Sequence, residues 1–206
     1  MSEKLYLYPI WLRVWHGINA LAILTLIATG ISLQYSDVNF EVLKFDFSVT
    51  FHNIAGYIMT INYLFFVIAN FVTGNIRFYR IKLKGLIKKL IKQSNYYAFG
   101  MFKGEKTPYP ITRDRKFNPL QKVTYVLFMF VIAPLLIISG LALLFPEFIL
   151  PHFMGFSGIQ LTAMTHAASG FLISLFLVIH IYISTTGKPI SSNFKSIVTG
   201  YHESHK

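Results

Sequence analysis

The chain of 206 residues contains four long stretches without a charged residue, and they constrain its fold more than any other feature. They cover residues 14–36, 47–76, 123–146 and 148–187. About 20 apolar residues are enough for a helix to cross the hydrocarbon core of a bilayer. We therefore predict four transmembrane helices over residues 11–33, 49–72, 123–145 and 161–184. The predicted fold class is an all-α membrane protein, a four-helix bundle that forms one domain over residues 1–206.

The basic residues fall almost entirely on one side of the predicted membrane. Thirteen of the 19 Lys and Arg residues lie in the loop over residues 73–122, and five more lie near the two ends of the chain. Only Lys44 falls on the other side. Since basic loops stay inside, we predict that this loop and both termini are cytoplasmic. The net charge of +11 is then a topology signal, and no nucleic-acid partner is expected.

The basic loop also contains apolar residues at helical spacing, interleaved with lysines and arginines. The apolar positions are Tyr79, Leu83, Leu86, Ile87 and Leu90. This pattern predicts a helix that lies on an anionic membrane surface. Docking of a cytosolic partner is the alternative interpretation.

Four of the seven histidines lie inside the predicted spans, where an ionisable side chain is a candidate functional residue. His166 and His180 are 14 residues apart on one helix, which is close to four turns and a rise of about 21 Å. The alternating direction of the helices then places His16 near His180 at the inner side. It places His52 near His166 at the outer side.

Two stacked pairs of neutral imidazoles suit two bis-histidine b haems, because the porphyrin supplies the four equatorial nitrogens. Gly30, Gly56 and Gly170 lie where a missing side chain lets a flat macrocycle approach. Each of these glycines alone is also explained by helix packing. A histidine-based metal transporter is an alternative, but transported cations usually require carboxylates, and the predicted spans contain no Asp or Glu. The cysteine-free sequence excludes thiolate-held iron–sulfur clusters.

Three segments resemble the four-helix dihaem cytochrome b family. They are residues 12–16 (LRVWH), 52–57 (HNIAGY) and 116–122 (KFNPLQK), together with the spacing of the last two span histidines. The family includes cytochrome b subunits of nickel–iron hydrogenases, formate dehydrogenase gamma subunits and thiosulfate reductase cytochrome subunits. The resemblance covers the chain from Tyr8 to about Gly187.

This resemblance implies electron transfer in the bacterial inner membrane, between quinone and a redox enzyme with an iron–sulfur or similar subunit on the periplasmic side. The protein itself would then be a non-catalytic cytochrome subunit. A stand-alone dihaem cytochrome is an alternative, which exchanges electrons between quinone and a small oxidant or reductant such as superoxide.

The resemblance also implies roles for single residues. The haem at His52 and His166 would face the partner enzyme, and the other haem would lie beside the quinone. Asn118 would hydrogen-bond a quinone carbonyl, with Gln121 as a weaker candidate, and Arg13 would pair with a haem propionate. Two ordinary explanations stay open: Asn118 also suits a helix N-cap before a proline, and Arg13 an arginine that reaches the membrane interface.

Overall fold

The computed structural model describes residues 3–37, 40–187 and 189–204, and most of these residues are helical. Helices α1 (Ile10–Tyr35) and α2 (Phe45–Val72) are followed by the short α3 (Leu86–Asn95). Helices α4 (Pro119–Leu127) and α5 (Ala133–Leu144) are joined by a π-helical turn, Phe128–Ile132, into one continuous span. Helices α6 (Gly158–Thr185) and α7 (Ser192–Thr199) complete the set.

Four helical spans are long and apolar enough to cross a membrane: Ile10–Tyr35, Phe45–Val72, Pro119–Leu144 and Gly158–Thr185. This finding confirms the predicted fold class. The second and third spans begin four residues earlier than predicted, because the predicted starts were placed after the charged residues Asp46 and Lys122, which the helices include. Asp46 lies in the first turn of α2, where a carboxylate favours the positive end of the helix dipole. The predicted end of the third span at residue 145 is one residue too late.

The described chain forms two compact units. One comprises Val14–Val67 and Val131–Tyr182, and it holds the four histidines of the spans. In this unit large apolar side chains point outward, with Leu21 and Ile138 70% and 65% exposed, whereas small polar residues such as Thr29 and Ser139 are buried. That distribution suits lipid surroundings, in which helices associate through small and polar contacts.

The other unit comprises Met1–Arg13, Ile68–Phe130 and Ile183–Lys206. Its strands β1 (Glu3–Tyr6) and β4 (Tyr201–Ser204) pair antiparallel, so the two described ends of the chain lie side by side. A second hairpin, β2 (His152–Phe153) and β3 (Phe156–Ser157), lies in the connection before α6. Neither strand pairing was predicted from the sequence, and α7 was not predicted either.

The predicted surface helix is present in part: Leu86, Ile87 and Leu90 lie in α3, whereas Tyr79 and Leu83 lie before it. The chain first forms a 3₁₀ helix, Asn75–Tyr79, and then runs without helix until α3 begins at Leu86. Gly85 precedes α3 with φ of +68°, a conformation that favours glycine and sets the helix start. Ile87 and Ile91 are exposed on α3, four residues apart among lysines, so the amphipathic character itself is present.

Candidate functional site

The structure brings the four span histidines together as two pairs. The ring centres of His16 and His180 are 6.1 Å apart, and their planes meet at 48°. The ring centres of His52 and His166 are 6.2 Å apart, with planes at 73°. These are the pairs that helix direction and spacing predicted.

The separation within each pair fits one metal atom held by two ring nitrogens. A ring nitrogen lies about 1.2 Å from the ring centre and a metal–histidine bond is about 2.0 Å, which gives roughly 6.4 Å between ring centres. The observed 6.1 and 6.2 Å are within a few tenths of that value. Among the described residues, no group of three or more His, Asp or Glu side chains could hold a metal ion. Two-ligand sites of this kind suit a haem, whose macrocycle supplies the other ligands.

The indole of Trp15 fixes helix α1 against α2 next to the first histidine. Its Nε1 donates to the backbone carbonyl of Asn62 at 3.1 Å, and the Asn62 Nδ2 donates back to the carbonyl of Trp15 at 3.2 Å. The fully buried Phe66 stacks on the indole with ring centres 4.4 Å apart. This reciprocal contact sets the rotation of α1, and therefore the direction in which His16 projects.

Hydroxyl groups contact both rings of the second pair. The Thr29 Oγ1 lies 2.9 Å from the Nδ1 of His52, and the Ser139 Oγ lies 3.2 Å from the Nδ1 of His166. The carbonyl of Leu136 is 3.1 Å from that same His166 nitrogen. Neither Thr29 nor Ser139 was predicted as a site residue from the sequence.

Glycines lie beside the same two rings. A Cβ at Gly30 would lie 3.3 Å from the Cε1 of His52, and a Cβ at Gly140 would lie only 2.8 Å from the Cε1 of His166. Gly30 was predicted as a site residue from its depth in the membrane, whereas Gly140 was not. Each glycine follows the hydroxyl residue of its helix, so α1 and α5 approach the two imidazoles in the same manner.

The two other predicted glycines have looser surroundings. A Cβ at Gly56 would meet nothing within 4 Å in the described part of the chain, and one at Gly170 would meet only Leu136, at 3.9 Å. Free space four residues after His52 and His166 is compatible with a flat group over each ring. The assignment of these glycines to a haem stays a prediction.

The predicted quinone residues form the start of α4. The Asn118 Oδ1 accepts from the backbone nitrogen of Gln121 at 2.9 Å, and the Gln121 Oε1 accepts from the backbone nitrogen of Asn118 at 3.1 Å. This capping box satisfies two helix-end donors, which is the ordinary structural role of Asn-Pro at a helix start.

The same asparagine belongs to a buried polar cluster that the sequence did not predict. Its Nδ2 donates to the hydroxyl of Tyr97 at 2.8 Å. Gln93 is 1% exposed, and neither polar atom of its amide has a hydrogen-bond partner within the described ranges. Burial raises the pKa of Tyr97, and its hydrogen bond with the Asn118 amide offsets part of that rise. A buried amide without a partner is unusual in a native structure.

A buried lysine lies in the segment before this cluster. Lys116 is 7% exposed, and its Nζ donates to the Asn75 Oδ1 at 2.8 Å. The Nζ also lies 4.3 Å from the centre of the Phe78 ring, a cation–π contact. Burial, with a smaller effect of Arg77, lowers the pKa of Lys116 to about 8.

The remaining predicted site residue, Arg13, lies three residues before His16 on α1. One end of its guanidinium donates to the carbonyl of Val198. Its buried Nε has no hydrogen-bond partner within the residues that the structure describes. The contact with a haem propionate stays a prediction.

Four membrane-length helices with two facing imidazole pairs define a helical membrane cytochrome. The chain belongs to the prokaryotic cytochrome b561 family, whose model matches residues 7–200. It is similar to "Putative cytochrome YdhU" of Escherichia coli (strain K12), with 38% identity over 201 residues, 98% of this chain and 76% of that protein. No solved structure matches it significantly. The predicted resemblance to a b-type cytochrome family is thus confirmed, and membership implies b-type haem and electron transport in a membrane.

Proposed function

We propose that the protein transfers electrons across the bacterial inner membrane with two b haems, one at each imidazole pair. The observation that carries this proposal is the presence of two pairs with nearly equal ring separations, 6.1 and 6.2 Å. His166 and His180 lie on one helix about 21 Å apart along its axis. Two haems at these levels would divide the membrane crossing into short steps.

The residues of the chain hold and insulate the redox groups. Haem supplies one-electron chemistry when it is bound. Two histidines would hold each haem iron, and a haem held in this way would suit electron transfer rather than reaction with a small ligand. The buried Nε of Arg13, which has no hydrogen-bond partner in the described part of the chain, would be available to a haem propionate.

The orientation follows from the placement of charge. The basic loop and both termini are assigned to the cytoplasm, because 18 of 19 basic residues lie on that side. The pairing of β1 with β4 supports the assignment of both termini to one side. Helix α3, with its exposed Ile87 and Ile91 and its lysines, would then lie on the anionic inner leaflet. His52 and His166 would hold the haem nearer the periplasm, where a redox enzyme with an iron–sulfur or similar subunit docks.

We assign the quinone contact to the cluster around Asn118. One hydrogen of the Asn118 Nδ2 is used by Tyr97, and the second remains for a quinone carbonyl. The Tyr97 hydroxyl accepts that bond and keeps its own hydrogen to donate. The partnerless amide of Gln93 would gain a partner from the same ligand. Gln121 contributes indirectly, because its side chain holds Asn118 in place.

The first experiment is a reduced-minus-oxidised absorption spectrum of the purified protein, with haem counted per chain. We expect two b haems, and one haem in each of the variants His16→Ala and His52→Ala. His152, which lies in the β2–β3 hairpin outside the spans, supplies the matched control, and His152→Ala should keep both haems. Folded protein that carries no haem, although it was produced with an ample supply of haem, would refute the proposal and favour histidine-based metal transport.

A second experiment tests the quinone contact. Quinol-driven reduction of the haems should slow in Tyr97→Phe, while reduction by dithionite stays unchanged. Asn118→Asp keeps the N-cap acceptor but removes the Nδ2 donor, so it separates quinone binding from helix capping. Wild-type reduction rates in both variants would place the quinone elsewhere. Copurification with iron–sulfur subunits would distinguish a complex subunit from a stand-alone cytochrome.

A further inference from the structure

The hydroxyl groups beside the His52–His166 pair are placed to accept a hydrogen bond from the rings. A hydroxyl has a single hydrogen to donate. Thr29 donates it to the backbone carbonyl of Thr25 at 2.7 Å, and Ser139 donates it to the carbonyl of Leu135 at 2.6 Å. Both are shorter than the contacts of these hydroxyls with the imidazoles, 2.9 and 3.2 Å. What each hydroxyl offers to Nδ1 is therefore a lone pair.

The backbone supports the same assignment for His166. The Leu136 carbonyl, 3.1 Å from its Nδ1, has no hydrogen and can only accept. With the proton assigned to Nδ1 in both rings on these grounds, Nε2 carries the free lone pair. A neutral imidazole in this tautomer is the form that binds a metal through Nε2.

We infer that Thr29 and Ser139 are positioning residues for the haem at the His52–His166 pair: their hydroxyl oxygens accept the Nδ1 hydrogens, direct Nε2 to the iron and lower the reduction potential of that haem. This inference rests on the proposed function. A hydrogen bond from Nδ1 makes the imidazole a more basic ligand, which stabilises the ferric iron. The bonds also fix the rotation of each ring and so the 73° between the two planes.

Helix α5 thereby gains a role although its span contains no histidine. Ser139 is 5% exposed and Thr29 2% exposed, so neither bond competes with water. Gly140 and Gly30 allow the helices close enough for these bonds to form. The two rings differ in one respect: His166 has two acceptors at Nδ1 and His52 has the hydroxyl of Thr29.

The test is an equilibrium redox titration of the purified dihaem protein, with electron paramagnetic resonance of the oxidised haems. In Thr29→Val, the reduction equilibrium constant of one haem should rise about threefold to tenfold, which is roughly 30–60 mV for one electron. The other haem should stay unchanged. The position of the low-spin paramagnetic resonance signal of the affected haem should also shift, because the angle between the His52 and His166 ring planes changes. Ser139→Ala should shift the same haem less, since the Leu136 carbonyl remains.

Two variants control for structural effects. Thr25→Val removes a hydroxyl that bonds a backbone carbonyl one turn earlier on α1, and it should leave both potentials unchanged. Thr29→Ser keeps the acceptor and should restore the wild-type potential. If Thr29→Val loses the haem, the shift in Ser139→Ala decides the question.

Unchanged potentials in Thr29→Val, or an equal shift in Thr25→Val, would overturn the inference. If Thr29→Val loses the haem, an unchanged reduction potential in Ser139→Ala would overturn the inference as well. If the wild-type protein binds two haems and the variants give these results, only the role of the hydroxyls is contradicted. Wild-type protein that binds none would contradict the proposed function itself.

Discussion

The substitution Gly140→Ala tests the geometry of the second imidazole pair most directly. The added Cβ would lie 2.8 Å from the Cε1 of His166, whereas ordinary contacts begin at 3.4 Å. The ring must therefore move by about 0.6 Å, well beyond the tolerance of about 0.2 Å in a metal–ligand bond. The ring cannot turn away freely, because its Nδ1 is bonded to Leu136 and Ser139. We expect haem affinity at this pair to fall about 10- to 100-fold.

Gly30→Ala is the matched control for this prediction. Its Cβ would lie 3.3 Å from the Cε1 of His52, so a shift of about 0.1 Å restores ordinary contact, within the metal-bond tolerance. Both substitutions replace glycine by alanine inside a membrane helix, so their effects on helix propensity are alike, about 1 kcal/mol. The assay is haem per chain in detergent, with thermal unfolding of each variant. Full haem content in Gly140→Ala, or equal losses in the two variants, would refute the reasoning.

Two further predictions concern other parts of the chain. Gly56→Ala adds a side chain that meets nothing within 4 Å in the described structure, so the haem-free protein should gain up to about 1 kcal/mol of stability. Its haem content should fall; wild-type content would remove Gly56 from the site. Burial lowers the pKa of Lys116 to about 8 from 10.5, so the folded chain releases this proton at lower pH than the unfolded chain. Stability should therefore rise between pH 8 and 10.5, and thermal unfolding of Lys116→Met should lack this rise. The same slope in both proteins would contradict it.

The spans and the histidine pairs could be predicted because both depend on local rules. Charge depletion over 20 residues marks a membrane helix wherever the rest of the chain lies. Helix direction and a spacing of 14 residues then decide which histidines share a depth. The start of α4 was indicated by a local signal as well, because Asn118 before a proline suits an N-cap, although the uncharged stretch itself begins only at residue 123.

The residues that contact the imidazoles could not be found in this way. Seven of the thirteen glycines follow Ser or Thr in the sequence, so the Thr29-Gly30 and Ser139-Gly140 pairs do not stand out. Which of them meets a histidine depends on the rotation of each helix about its axis. That rotation is fixed by contacts such as the reciprocal bonds of Trp15 and Asn62, which join residues 47 apart. The pairing of the chain ends is likewise a long-range contact, since β1 meets β4.

The apolar residues of these helices carry little information on rotation, because a lipid-facing surface is as apolar as the interior. Small polar residues are more informative, since a hydroxyl or amide has no hydrogen-bond partner in lipid and is better satisfied within the protein. Four buried polar residues of the histidine-bearing unit follow this rule, since each donates a hydrogen bond to a backbone carbonyl: Thr29, Ser32, Asn62 and Ser139. Rotating α1 and α5 so that these residues face inward also turns the glycine after each hydroxyl toward the interior. In a membrane cytochrome of this kind, the few polar residues of each span therefore indicate which face of the helix points inward. They also indicate which groups can form hydrogen bonds with the histidines that would hold haem.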